Sequence, residues 1–350
     1  MNKISYIILL LILIIQCKDE YDFNTVNRAG LLVIDGSISD LPGPYFLNLG
    51  LTVSAHRRPD PVLNASILIT DELGNAESYF SLGNGKYQLN GTSVIGRPGG
   101  SYTVSISLSD GRVYRSLTET IPTNSKPADS LYFSVDESKV ISSAGIEVNN
   151  WNVNVYLSTK FGSDNLGYFR WSVDEVYSLF PTCWPGAISC PPICYIYQPI
   201  SVYNLFVVDR RNYSGNSIKN IHLEARNVDY SFATRHYFNV VMHSMNSSTY
   251  SYWKKVQQLT TNRGSIFDSP PYTIAGNIKN INDTKEIVLG YFEASGQKMT
   301  RLFVDRGYIP TFVQTCFPNL PQDFIPNTNF CSDCTGLAGA SIQEPYWFWH

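Results

Sequence analysis

Ser101-Tyr102-Thr103-Val104-Ser105-Ile106-Ser107-Leu108-Ser109-Asp110-Gly111-Arg112-Val113-Tyr114-Arg115-Ser116-Leu117 alternates large apolar with small or polar residues, breaks at Asp-Gly and then resumes. Alternation with period two places every second side chain on one face of an extended strand. The Asp110-Gly111 pair between the arms predicts a hairpin closed by a type I′ turn, which needs positive φ at both central residues. The same alternation recurs outward along the chain, at Tyr45, Leu47, Leu49 and Leu51 and at Ala65, Ile67 and Ile69. Turn signals separate these runs, at Asp71-Glu72-Leu73-Gly74-Asn75 and at Gly83-Asn84-Gly85. About seven short strands over residues 30–124 imply an immunoglobulin-like or transthyretin-like β-sandwich. Ile121-Pro122-Thr123-Asn124-Ser125-Lys126-Pro127 closes it as a linker.

A larger β-rich region is expected over 125–306. Trp151, Val153, Val155 and Leu157 alternate, as do Phe169, Trp171 and Val173, while Tyr203–Val208 and Tyr237–Met242 are continuous apolar runs suited to buried strands. One helix stands out: Asn246 or Ser247 can cap it, Tyr252, Val256 and Leu259 recur at helical spacing, and Asn262 and Gly264 stop it. Trp253-Lys254-Lys255 reads as a core aromatic flanked by solvated lysines. Residues 307–350 are rich in Pro, Asn and Gly and hold three of the cysteines, which predicts an irregular tail pinned by disulfides onto the second domain. The fold class is therefore mainly β, with an N-terminal sandwich followed by a larger β-rich domain carrying one prominent helix.

The first residues carry an address. Lys3 precedes an apolar run from Ile4 to Ile15 that is shorter than the ~20 residues needed to span a bilayer, so it reads as a signal peptide over 1–16. With Cys17 directly behind it, the segment resembles a bacterial lipoprotein signal in which Cys17 is acylated, although Gln16 stands where Gly, Ala or Ser is usual. Lys18-Asp19-Glu20 resembles a surface-export signal of Bacteroidota lipoproteins, and 17–29 is then a polar tether. A cleaved secretory signal with an incidental cysteine, or an uncleaved anchor, is the alternative.

Setting Cys17 aside leaves Cys183, Cys190, Cys194, Cys316, Cys331 and Cys334, an even number in an exported chain. Up to three disulfides are expected, with connectivity open; Cys331-x-x-Cys334 joining Cys190 and Cys194 at zinc, or acting as a redox pair, is the rival reading.

The chain holds 350 residues, 43% hydrophobic and 13% aromatic, with a formal charge of −3. That apolar content excludes a disordered chain, and the absence of a basic stripe argues against nucleic acid as a partner. No metal and no cofactor are expected: no H-E-x-x-H, P-loop or nucleophile elbow occurs. His236 and His243 lie seven apart in a strand, an odd offset that points them to opposite faces and prevents joint chelation. Glu72, Asp174 and Glu175 read as isolated carboxylates. The segment from Phe180 to Tyr197 is the most unusual, apolar and dense in Pro and Cys. Either it offers Trp184, Tyr195 and Tyr197 as contacts for a ligand or partner, or it folds as a disulfide-held lid over the core.

Several short motifs, taken in order, are similar to the domain-of-unknown-function family 4249, uncharacterised outer-membrane lipoproteins of Bacteroidota. They include Leu32-Val33-Ile34-Asp35-Gly36, Asn64-Ala65-Ser66-Ile67-Leu68-Ile69, Gly85-Lys86-Tyr87, Gly99-Gly100-Ser101-Tyr102 and Trp253-Lys254-Lys255. Further along come Phe267-Asp268-Ser269-Pro270-Pro271, Gly276-Asn277-Ile278, Leu289-Gly290-Tyr291-Phe292, Cys331-Ser332-Asp333-Cys334 and Glu344-Pro345-Tyr346-Trp347. The resemblance implies a lipoprotein often encoded beside a TonB-dependent receptor and carries over no catalytic residue. The expectation is thus a surface-exposed, non-catalytic outer-membrane lipoprotein, accessory to such a transporter and held to the membrane through its lipid. An adhesin or envelope-structural protein is the alternative, and a hydrolase the third.

Overall fold

The computed structural model describes residues 30–53, 59–124, 126–141, 145–162, 167–181, 190–200, 205–261, 274–310 and 333–349. Among these described residues strands make up 53% and helices 9%, so the protein is mainly β with one prominent helix, as its alternation predicts. The first stretch supplies β1 (Leu32–Ser39), β2 (Tyr45–Leu51), β3 (Asp60–Pro61), β4 (Ser66–Asp71), β5 (Ala76–Ser78), β6 (Phe80–Gly83), β7 (Lys86–Leu89), β8 (Ser101–Ser107), β9 (Val113–Ser116) and β10 (Glu119–Thr120). Longer strands follow: β11 (Ala128–Ile141), β12 (Glu147–Lys160), β13 (Tyr168–Leu179), β14 (Cys194–Pro199), β15 (Phe206–Asp209), β16 (Ser217–Asn227) and β17 (His236–Met245). After helix α1 (Ser247–Thr261) come β18 (Ile278–Asn280), β19 (Leu289–Val304) and β20 (Ala340–Ser341).

The hairpin of Tyr102 and Tyr114 forms, with Ser107 opposite Val113. Its turn differs from the expected one. Leu108 N–H bonds to the Arg112 carbonyl and only Gly111 has positive φ, which is a three-residue loop ending in a glycine bulge. The turn with two consecutive positive φ values lies instead at Asn84-Gly85, between β6 and β7.

Eleven strands form one long sheet in the order β20-β14-β13-β17-β19-β1-β2-β7-β6, with β15 beside β13 and β3 beside β2. Its back face meets two smaller sheets side by side. The sheet of β18, β9, β8, β4, β5 and β10 closes a first core of Leu32, Ile34, Leu47, Ile69, Val104 and Phe292. The β11-β12-β16 sheet closes a second around Val155, Leu157, Phe169, Trp171, Phe238 and Met242. Each such side chain, fully buried, contributes about 1.5–3 kcal/mol.

Strand β19 joins the two halves. Leu289 to Ser295 runs parallel to β1, and Gly296 to Val304 runs antiparallel to β17. The division at 124/125 therefore follows the order of the chain and not its packing, because Ile278, Phe292 and Ala294 complete the first core. Gly290 makes the parallel approach possible: it has φ +86, and a Cβ there would lie 1.9 Å from the Ile34 carbonyl oxygen.

The front face of the long sheet has two covers. One is α1, whose first turn is capped by Asn246: its Oδ1 accepts from Thr249 N–H at 2.8 Å. The expected stop at Asn262 and Gly264 lies outside the described residues. The other cover is the C-terminal segment, where β20 pairs with β14 and Phe348 packs on Val176, Tyr195 and Tyr237. A disulfide between Cys194 and Cys334 pins it across a sequence separation of 140. Cys190 is also disulfide-bonded. Cys183, Cys316 and Cys331 lie outside the described residues.

Candidate functional site

Alternation along β1, β19, β17 and β13 decides which polar groups share the front face. Asp35, Tyr291, Glu293, Gln297 and Arg301 are on it, beside His243 and Asn239 of β17 and Arg170, Ser172 and Asp174 of β13. His236 points to the back, as the odd offset requires.

Under α1 several of these groups form a buried network. Arg170 donates from Nη2 to both Glu293 oxygens, at 3.2 and 3.0 Å, and Trp253 Nε1 donates to Glu293 Oε2 at 2.6 Å. The Arg170 guanidinium lies 4.2 Å from the Trp253 ring centroid. Trp253 is thus half-buried with a polar task, more than the plain core aromatic expected of it. Burial alone would raise the Glu293 pKa, but Arg170 and His243 override it and hold the carboxyl well below the usual range. Burial, assisted by the Arg170 charge, pushes the His243 pKa below its ordinary value against the pull of Glu293. His243 Nδ1 lies 3.3 Å from Glu293 Oε1 and its Nε2 3.1 Å from Ser172 Oγ. At the N-terminus of α1, buried Glu119 accepts from Asn246, Thr249, Asn277 and Tyr291 at 2.5–3.1 Å.

On the back face, Glu175 pairs with Arg226 Nε at 2.9 Å and His236 Nε2 at 3.2 Å. Burial opposes ionisation there, yet His236 and Arg226 bring its pKa down to about 2. The His236 ring stacks on Phe232 at 4.0 Å. Glu72 pairs with Arg97 and accepts the Ser101 N–H at 2.8 Å. Two of the three carboxylates read as isolated are therefore committed to partners.

Asp174 is the third, and it stays open. It stands exposed on β13 with no hydrogen bond or ion pair among the described residues, and burial of its surroundings raises its pKa. Its cross-strand neighbour Asn239 is 7% exposed, and the Asn239 Oδ1 is buried with no partner. Opposite Asn239 on the other side is Arg301, exposed and without a carboxylate among the described residues, its guanidinium 4.0 Å over the Trp347 ring. Buried polar atoms normally find a partner, so this row is the part of the face left unsatisfied between the two covers. Tyr197, 41% exposed, borders it, and the Arg301 charge reaches its hydroxyl.

Of the residues expected as contacts, Tyr197 is therefore beside the open row, whereas Tyr195 is buried against Phe348 at 5.0 Å and serves the core. Trp184 lies outside the described residues, as do Cys17, Lys18, Asp19 and Glu20. Sequence reading misses Asn239 and Arg301, whose only signal is that each lies two residues from an aromatic, Tyr237 or Phe303, and so shares its face of the strand. Among the described residues no group of three or more His, Cys, Asp or Glu is placed to hold a metal, and no helix is long and apolar enough to cross a membrane.

Fold and site together define a mainly β protein with an open polar row on a sheet face, framed by a helix and a disulfide-held terminal segment. The chain belongs to the family described as Domain of unknown function (DUF4249), whose profile matches residues 18–301. No curated protein matches it.

Proposed function

We propose that this chain is a non-catalytic, surface-exposed lipoprotein of the outer membrane that captures a ligand as accessory to a TonB-dependent transporter. The observation that carries the binding role is the Asp174–Asn239–Arg301 row, polar and partly buried, with no hydrogen bond or ion pair to Asp174, the Asn239 Oδ1 or Arg301 among the described residues. Cys17 followed by Lys18-Asp19-Glu20 supports the address. Acylation at Cys17 with more than one chain gives stable anchoring, each buried CH2 contributing about 0.8 kcal/mol. Purification from detergent-solubilised outer membranes tests the partnership: a β-barrel receptor is expected in the eluate, and its repeated absence sinks the accessory role. Cys17→Ala is expected to release the protein from membranes, and protease added to whole cells is expected to degrade it.

A hydrolase is the second reading, favoured by the Glu293–His243–Ser172 distances, which suit a base held by a carboxylate beside a hydroxyl. Ser172, however, sits inside a regular ladder with Val241 opposite, unlike the exposed elbow that presents nucleophilic serines. Labelling of Ser172 by a fluorophosphonate would favour the hydrolase.

A further inference from the structure

Resting on the binding reading above, we infer that the open row is a recognition site for short peptides with free termini. Three features of the row specify a ligand with opposite charges at its ends. Asp174 offers a carboxylate with no cation among the described residues, and the Asn239 Oδ1 buried beside it has no donor among them. Arg301 offers a guanidinium that lies over the face of Trp347 and has no carboxylate partner among the described residues. An ammonium group pairs with Asp174, where the buried Asn239 Oδ1 adds negative potential beside it, and a carboxylate matches the planar fork of Arg301. A neutral sugar leaves the two charges uncompensated.

Spacing sets the length. Asp174 and Arg301 lie on strands two apart, with Asn239 between them in register. Neighbouring strands are about 4.8 Å apart, so the two charges stand over points roughly 10 Å apart. An extended chain covers about 3.3–3.6 Å per residue, which makes a tripeptide the natural fit. It would lie across the strands, with its ammonium over Asp174 and Asn239, its carboxylate at Arg301 and a side chain near Tyr197. Both charged side chains are exposed, so their replacement leaves the cores intact.

The test is calorimetric titration of the detergent-solubilised full-length lipoprotein with trialanine, N-acetyl-trialanine, trialanine amide and maltotriose. Trialanine is expected to bind, and blocking either terminus to weaken it at least tenfold. Asp174→Asn is expected to abolish discrimination against the acetylated peptide, and Arg301→Gln discrimination against the amide. Equal binding of free and blocked peptides overturns the inference. Binding of maltotriose alone overturns it too, while leaving the capture role standing. If peptide discrimination is intact but no receptor co-purifies, the transporter partnership falls and the peptide site remains.

Discussion

Glu293 of β19 and Arg170 of β13 meet across the intervening strand β17, joined at 3.0 Å with both side chains more than nine-tenths buried. The pair lies beneath α1, where Trp253 and His243 also meet the Glu293 carboxylate. Removing one member leaves an uncompensated buried charge, which costs about 3–5 kcal/mol. Glu293→Gln is therefore expected to lower the unfolding free energy by that amount in a urea titration followed by circular dichroism. Trp253→Phe, which removes one donor and keeps the ring, is expected to cost about 1–3 kcal/mol.

Acid should unfold this protein through its buried carboxylates. Glu175 has a folded pKa of about 2, below its ordinary value, so its stabilisation is present above about pH 4.5 and is lost as the pH falls through the folded value. The contribution is on the order of 3 kcal/mol. Asp174 has the opposite sign. Its pKa is raised by burial, so its protonated form is favoured in the fold and its contribution fades as the pH rises. Melting curves at stepped pH are expected to show Glu175→Gln flattening the acid limb, and Asp174→Asn more stable than wild type at pH 7 by less than about 1 kcal/mol.

Reduction should free the C-terminal cover. The Cys194–Cys334 bond closes a long loop, and loss of such a link costs about 2–5 kcal/mol. Cys334→Ala is expected to melt earlier by that amount and to expose 333–349 to limited proteolysis. Unchanged cleavage would mean that Phe348 and Trp347 hold the segment unaided.

Two glycines separate conformation from contact. Gly111 and Gly290 both have positive φ, but a Cβ at Gly111 meets nothing within 4 Å. Gly111→Ala is expected to cost about 1 kcal/mol of backbone strain, and Gly290→Ala at least about 3 kcal/mol because β19 must move away from Ile34. Thermal melts of the two variants check the difference.

Much of the first core was legible because its signals are local. Tyr102, Val104 and Ile106 alternate within one strand, and the odd offset of His236 and His243 places them on opposite faces whatever the strand pairs with. The Asn246 cap was legible for the same reason. The polar groups were not. Glu119 finds its partners at 246, 249, 277 and 291, and Glu293 finds Arg170 in a distant strand. Neither pairing has a sequence spacing that announces it. The turn at Asp110-Gly111 was misread in type because Asp-Gly also suits the end of a three-residue loop, and only the ladder register distinguishes the two. Nor does periodicity say that one strand changes partners midway, as β19 does.

The register of Val33 opposite Leu289 sets an order of events for the chain as it folds. Strand β1 can pair early with β2 through a short connection, but its other edge has to wait for a segment made more than 250 residues later. Closing so long a loop is slow, and an apolar edge left open meanwhile invites pairing with other chains. Newly made molecules are thus most exposed to aggregation until β19 arrives, and its arrival fastens both halves in one step.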